Sequence, residues 1–140
     1  MKIILIVLLA LNLYAFDIKL ASKIFNKLFI AIVQKDNIYV FTKEEEYFEV
    51  IKLAEHLNLA NKPQNADIIL VNKEINLPKN LNKILFTTEY KLFKKNQHAI
   101  GVFYWKHGRP KIIFTKERLK YFNITLDSKW NKYIKSENQL

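Results

Sequence analysis

Between Tyr104 and Lys120 the chain sets aromatic rings among cations: Tyr104, Trp105, Lys106, His107, Arg109, Lys111, Lys116, Arg118 and Lys120. Rings beside guanidinium and ammonium groups can stack on bases and pair with phosphates. Trp, Tyr and Arg can equally anchor a protein interface. Strand alternation would put Phe103 and Trp105 on one face and Val102 and Tyr104 on the other, so part of this set has to be core. Two readings stand side by side. One is an interface with Tyr104, Trp105, Lys106, His107 and Arg109 as its partner-binding residues; the other is a core strand ending in a basic hairpin.

The remaining reactive side chains do not assemble into a chemical site. His56, His98 and His107 form no i,i+4 pair with a neighbouring glutamate, which is the spacing a helical zinc site uses. Glu44, Glu45 and Glu46 occupy consecutive positions and point in different directions, so they read as stabilisers of a helix start rather than as an acid–base cluster. Asp67 falls at the start of an expected strand, away from the carboxyl end where open sheets hold ligands. Gly101 and Gly108, the only two glycines, are too widely spaced for a phosphate-cradling loop. No serine sits in a nucleophile-elbow sequence. The residues therefore predict a non-enzymatic protein with no catalytic residue, no metal and no cofactor.

The elements that must position these groups follow from hydrophobic period. Ile18, Ala21, Ile24, Phe25, Leu28, Phe29 and Ile32 recur at three and four residues behind Asp17, which predicts a capped amphipathic helix. Residues 38–41 read as a short buried strand. Thr42 with Glu45 suggests a capping box, opening a helix that carries Phe48, Ile51, Leu53, Ala54, Leu57 and Leu59 and is closed by residues 61–65, with Pro63 inside. Residues 66–71 and 83–87 are strands, joined by a polar connection with Ile75, Leu77 and Leu81. The absence of a hairpin turn between these strands favours parallel neighbours.

Residues 99–105 and 111–114 flank Lys106-His107-Gly108-Arg109-Pro110 and predict an antiparallel hairpin. Thr115 begins a helix over Leu119 and Phe122, and Asp127 is placed to cap a last helix with Trp130, Tyr133 and Ile134. The expected fold is one compact α/β domain. It has a central mixed sheet of about five strands, helices packed around it and a C-terminal antiparallel hairpin.

Half of the 140 residues are apolar, cysteine is absent and the formal charge is +10. Packing without disulfides must hold the domain together, and the charge draws it towards anionic surfaces. Lys2, the apolar run 3–11 and the small Ala15 have the pattern of a signal peptide over residues 1–15, leaving 16–140 as the folded domain. The run is too short to span a bilayer. Export to the periplasm follows as the expectation, and with it no nucleic-acid partner.

Residues 84–87, 99–103, the Gly108-Arg109 turn and 112–115 resemble, in that order, the YfiR/HmsC-like family of small periplasmic proteins and extracytoplasmic sensor domains. The run 119–130 is similar to that family's terminal pattern, and the opening helix and residues 68–71 precede it in the expected order. The resemblance implies a compact α/β regulator that binds an inner-membrane signalling protein, such as a diguanylate cyclase, and that is often dimeric. Relatives with cysteines form disulfides, which this chain cannot. Thr115 stands where the family has asparagine, and Asn123 where it commonly has glycine; both residues preserve the local backbone requirement.

The sequence therefore predicts a periplasmic regulatory module. Its partners would be an inner-membrane signalling protein, a second copy of the chain or an anionic envelope component. The alternative is a small solute- or envelope-polymer-binding protein.

Overall fold

The computed structural model describes residues 17–78 and 81–140; the expected signal peptide, residues 1–15, lies outside them. Helix α1 (Ile18–Val33) opens the described chain, capped by Asp17, whose side chain accepts a hydrogen bond from the Leu20 amide. It ends at Gln34, which adopts a left-handed backbone and donates from its side chain to the Thr125 carbonyl.

Strand β1 (Ile38–Phe41) is followed by a 3-10 turn at Glu45–Tyr47, helix α2 (Phe48–Leu53) and strand β2 (Leu57–Leu59). Strand β3 (Ile68–Val71), strand β4 (Ile84–Thr87), helix α3 (Tyr90–Lys95), strand β5 (Ala99–Lys106) and strand β6 (Arg109–Thr115) come next. Helix α4 (Lys116–Tyr121), a 3-10 stretch at Ser128–Tyr133, strand β7 (Ile134–Lys135) and a last 3-10 turn at Glu137–Gln139 complete the chain.

The strands form one mixed sheet in the order β2-β1-β3-β4-β5-β6-β7. Every neighbouring pair is parallel except the antiparallel β5–β6 pair. The first five strands thus share one direction and follow the 2-1-3-4-5 order of doubly wound sheets.

Both faces are covered, and for that reason β3 is buried at all four positions rather than at alternate ones. On one face α1 and α2 pack over Ile38, Val40, Ile68, Leu70, Phe86, Phe103 and Phe114. On the other, Leu92 and Phe93 of α3 and the apolar residues of the β3–β4 connection cover Ile69, Val71, Leu85 and Val102. Gly101 has a packing role. A Cβ there would lie 2.7 Å from Phe114 Cε1 and 2.9 Å from Phe86 Cε2, so only glycine lets those two rings close over the strand.

Five expectations need correction. The sheet has seven strands rather than about five, because β2 and β7 add three- and two-residue strands at its two edges. Such lengths are too short to display a period of two in the sequence. The β5–β6 hairpin is not the C-terminal element, since α4 and β7 follow it and β7 pairs with the end of β6. The helix expected to run to residue 59 ends at Leu53: Leu57 and Leu59 belong to β2, held by pairing with Ile38 and Val40.

The expected capping box is also replaced by a local turn, in which Thr42 Oγ1 accepts from the Glu44 amide at 3.2 Å. The final helix carrying Ile134 is instead the 3-10 stretch, with Ile134 itself in β7. Asn123 takes a positive φ of 56°, as its position after α4 predicts.

Candidate functional site: the β5–β6 hairpin and the adjoining groove

Because β1 to β5 run the same way, the tip of the β5–β6 hairpin and the segments leaving β1, β3 and β4 gather at one end of the sheet. This carboxyl end is where parallel sheets place their ligand sites, since the chain leaves the ladder there and its backbone groups and side chains become free.

The hairpin closes on His107 and Gly108, with φ of 53° and 74°. Two successive positive φ angles make the mirror-image turn whose twist matches the flanking strands. Lys106 and Arg109 form the closing pair, and Trp105 faces Pro110. That next pair is of the wide, non-bonded kind, so Pro110 lacks no amide that the ladder needs.

Burial along β5 grades from complete at residues 99–103 to half at Tyr104 and exposed at Trp105 and Lys106. Phe103 and Trp105 share one face with ring centroids 5.7 Å apart. Tyr104 points to the other face and packs 5.4 Å from Tyr90, so the alternation read from the sequence holds. Trp105 keeps 38% of its surface exposed. Lys106, His107, Arg109 and Lys111 are exposed and make no ion pair with another described residue. The five residues singled out from the sequence are thus brought together, four of them exposed and Tyr104 half-buried.

The basic surface does not continue to Lys120. Since β6 runs back across the sheet, α4 starts at the opposite end, and Lys116, Arg118 and Lys120 lie away from the hairpin tip. Arg118 is only 3% exposed. Its Nη1 donates to the carbonyls of Phe93, Asn96 and Ala99 at 2.7, 3.1 and 2.8 Å. Its Nε donates to Glu137 Oε1 at 2.7 Å, and its guanidinium stacks 4.2 Å from the Phe93 ring centre. Arg118 therefore ties α3, β5 and the C-terminal turn together and is a structural group. One sequence signal marks it: position 118 adjoins Leu119 and precedes Phe122 by four, on the inward side of α4.

Beside the hairpin lies an open groove of about 660 Å³. Phe25, Tyr47, Phe103 and Trp105 line it from one face of the sheet, and the Tyr90–Tyr104 pair lines it from the other. Glu46, Thr88, Glu89 and Lys91 complete the lining. Glu46 accepts from the Asn72 amide group at 3.1 Å. Neither Glu46 nor Glu89 pairs with a described cation, whereas Glu44 meets Lys73 at 3.7 Å. Burial raises the Tyr47 phenol above its ordinary value; a hydrogen bond with Thr88 offsets part of that, and the charges of Glu46, Glu89 and Glu44 add to it.

The sequence shows none of this convergence, because residues near 46, 89 and 105 meet only through the strand order. Glu45 and Glu46 do lie in the first turn of the 3-10 segment, as the helix-start reading expects, but Glu46 also faces the groove.

A second open groove, of about 700 Å³, lies towards the other end of the sheet, where Lys27, Lys129 and Lys132 surround Ile30, Trp130 and Tyr133. Among the described residues no group of three or more His, Cys, Asp or Glu could hold a metal ion. Nor is any described helix long and apolar enough to cross a membrane. His56 lies in the turn before β2 rather than on a helix, and Asp67 accepts from the Tyr39 amide and pairs with Lys35. Compared with protein-family profiles, curated proteins and solved structures, the chain matches none.

Proposed function

We propose that this chain is a non-enzymatic regulatory module of the periplasm that binds an inner-membrane signalling protein, a diguanylate cyclase or a sensor, through the tip of the β5–β6 hairpin. The observation that carries the proposal is Trp105. A large ring stands exposed at the outer end of an otherwise buried strand, among three cations that no carboxylate of the described chain engages. Exposed aromatic and arginine side chains on a rigid projection are what interface anchors look like, and uncompensated cations steer approach to an acidic face. The periplasmic placement rests on the leader-like composition of residues 1–15. Regulation would follow from unequal affinity of the module for the active and inactive states of its partner.

Sedimentation with membrane vesicles from the cells that make the protein tests this reading. The module co-sediments with them, and the triple variant Trp105→Ala, Lys106→Ala, Arg109→Ala remains in the supernatant. Equal sedimentation of the two proteins at physiological salt would remove the hairpin from the interface.

The aromatic groove at the carboxyl end of the sheet favours a second reading, a small-solute-binding protein. Its lining mixes aromatic rings with polar side chains, the combination that holds and orients a small molecule.

A further inference from the structure

We propose that the groove beside the hairpin is a binding site for an organic cation, an ammonium or guanidinium group carried by a small solute. The inference rests on the solute-binding reading above and names the class of solute. It is carried by three properties of the groove: aromatic walls, carboxylates without cation partners, and its place at the carboxyl end of the parallel strands.

The walls come first. Tyr47 and Trp105 line the groove beside Phe25 and Phe103 on one face of the sheet, and the Tyr90–Tyr104 pair lines it from the other. The negative π-face of such rings attracts a cation, most strongly where water is partly excluded. The local chain already uses this attraction, for Lys94 Nζ lies 5.7 Å from the Tyr90 ring centre.

The carboxylates supply the second property. In a chain carrying +10, acidic side chains have an excess of lysines available, and Glu44, Glu49, Glu74 and Asp67 each take one. Glu46 and Glu89 take none, as do six other described acids; these two are the ones exposed at the rim of this groove. Both carboxylates are among the causes that raise the phenol of Tyr47 in the groove lining. Lys91 is the one cation among the lining residues; it is exposed and pairs with neither carboxylate. An anionic solute would meet Glu46 and Glu89 at this rim and is better served by the lysine-edged groove at the other end of the sheet.

Position is the third. Glu46 follows β1, Glu89 follows β4 and Trp105 is the last residue but one of β5, so three parallel strands deliver the recognising groups to one end of the sheet. Trp105 belongs to both this groove and the hairpin tip.

Two-dimensional NMR of the folded domain, following the Trp105 indole N–H, provides the test with choline and arginine as organic cations at low salt. The uncharged isostere of choline, 3,3-dimethylbutan-1-ol, serves as the comparison. Choline and arginine are expected to shift the Trp105 signal saturably, with choline at least about tenfold tighter than the neutral isostere. The double variant Glu46→Gln, Glu89→Gln, unchanged in circular dichroism, is expected to lose about tenfold in choline affinity. Equal affinity for choline and its isostere, or an unweakened double variant, would overturn the cation assignment and leave the solute-binding reading standing. No saturable shift with any of the three compounds would end both.

Discussion

Replacing Arg118 with methionine removes the buried junction between α3, β5 and the C-terminal turn while keeping the aliphatic stem. Three carbonyl oxygens, on Phe93, Asn96 and Ala99, then lose a donor within 3.1 Å. The Asn96 carbonyl keeps the Ala99 amide at 3.1 Å, whereas a buried acceptor left without a partner costs about 1–3 kcal/mol, so the Phe93 and Ala99 oxygens together amount to about 2–4 kcal/mol. Glu137 also loses its guanidinium partner, but its side chain is 36% exposed and water compensates most of that loss. The stacking over Phe93 at 4.2 Å is replaced in part by the methionine sulfur. The expected total is about 3–5 kcal/mol, in the range for breaking one side of a buried ion pair. In a domain of this size that lowers the thermal midpoint by about 10–20 °C. Urea denaturation followed by far-ultraviolet circular dichroism measures the difference directly. A loss below about 1 kcal/mol with an unchanged slope would refute the reasoning, because the guanidinium would then not be what satisfies those carbonyls.

Other consequences can be measured on the same domain. For Glu137, burial alone would raise the carboxyl, yet hydrogen bonds from Arg118 and Thr115 and the Arg118 charge hold it below its ordinary 4.5. A carboxyl lowered in the folded state contributes stability that is complete above its unfolded value and is lost as pH falls through the folded one. Acid titration of stability should therefore be flatter below about pH 4.5 in Glu137→Gln than in the parent chain. Gly101→Ala should cost about 1–3 kcal/mol in urea denaturation, since its methyl would enter the space of the Phe114 and Phe86 rings. Adding Phe86→Leu should return part of that loss. Gly108→Ala meets nothing within 4 Å but sits at φ +74°, so it should cost about 1 kcal/mol through backbone strain alone, with no relief from any neighbouring substitution. Trp105→Ala should cost about 1–2 kcal/mol in urea denaturation, because the ring is 38% exposed and rests on Phe103, and a loss of about 4 kcal/mol or more would show that Trp105 is core.

Much of the architecture was legible where local physics is strong. Helix α1 announces itself through Asp17 and apolar residues at every third and fourth position. The hairpin does so through Gly108 and the runs on either side of it. The left-handed turn at Asn123 follows from a residue tolerant of that geometry just past a helix. What escaped was set by tertiary contact. Leu57 and Leu59 fit a continued helix as well as a strand, and only pairing with Ile38 and Val40 decides between them. Arg118 looked like one more surface cation because its partners are backbone carbonyls, which carry no sequence signal. The aromatic and basic segment from Tyr104 to Lys120 divides because β6 carries the chain across the whole sheet before α4 begins. The groove was invisible for a related reason: Glu46, Glu89 and Trp105 are neighbours only through the order β1-β3-β4-β5.

The claim that the hairpin tip is the binding face meets its most direct test in photocrosslinking inside living cells. A benzophenone amino acid is placed at position 105 in one strain and at position 53 in another, Leu53 being exposed on α2 and remote in sequence from the hairpin. The account predicts that position 105 captures an integral membrane signalling protein and that position 53 does not. Equal capture from both positions, or none from 105 while the protein is present and folded, would contradict it.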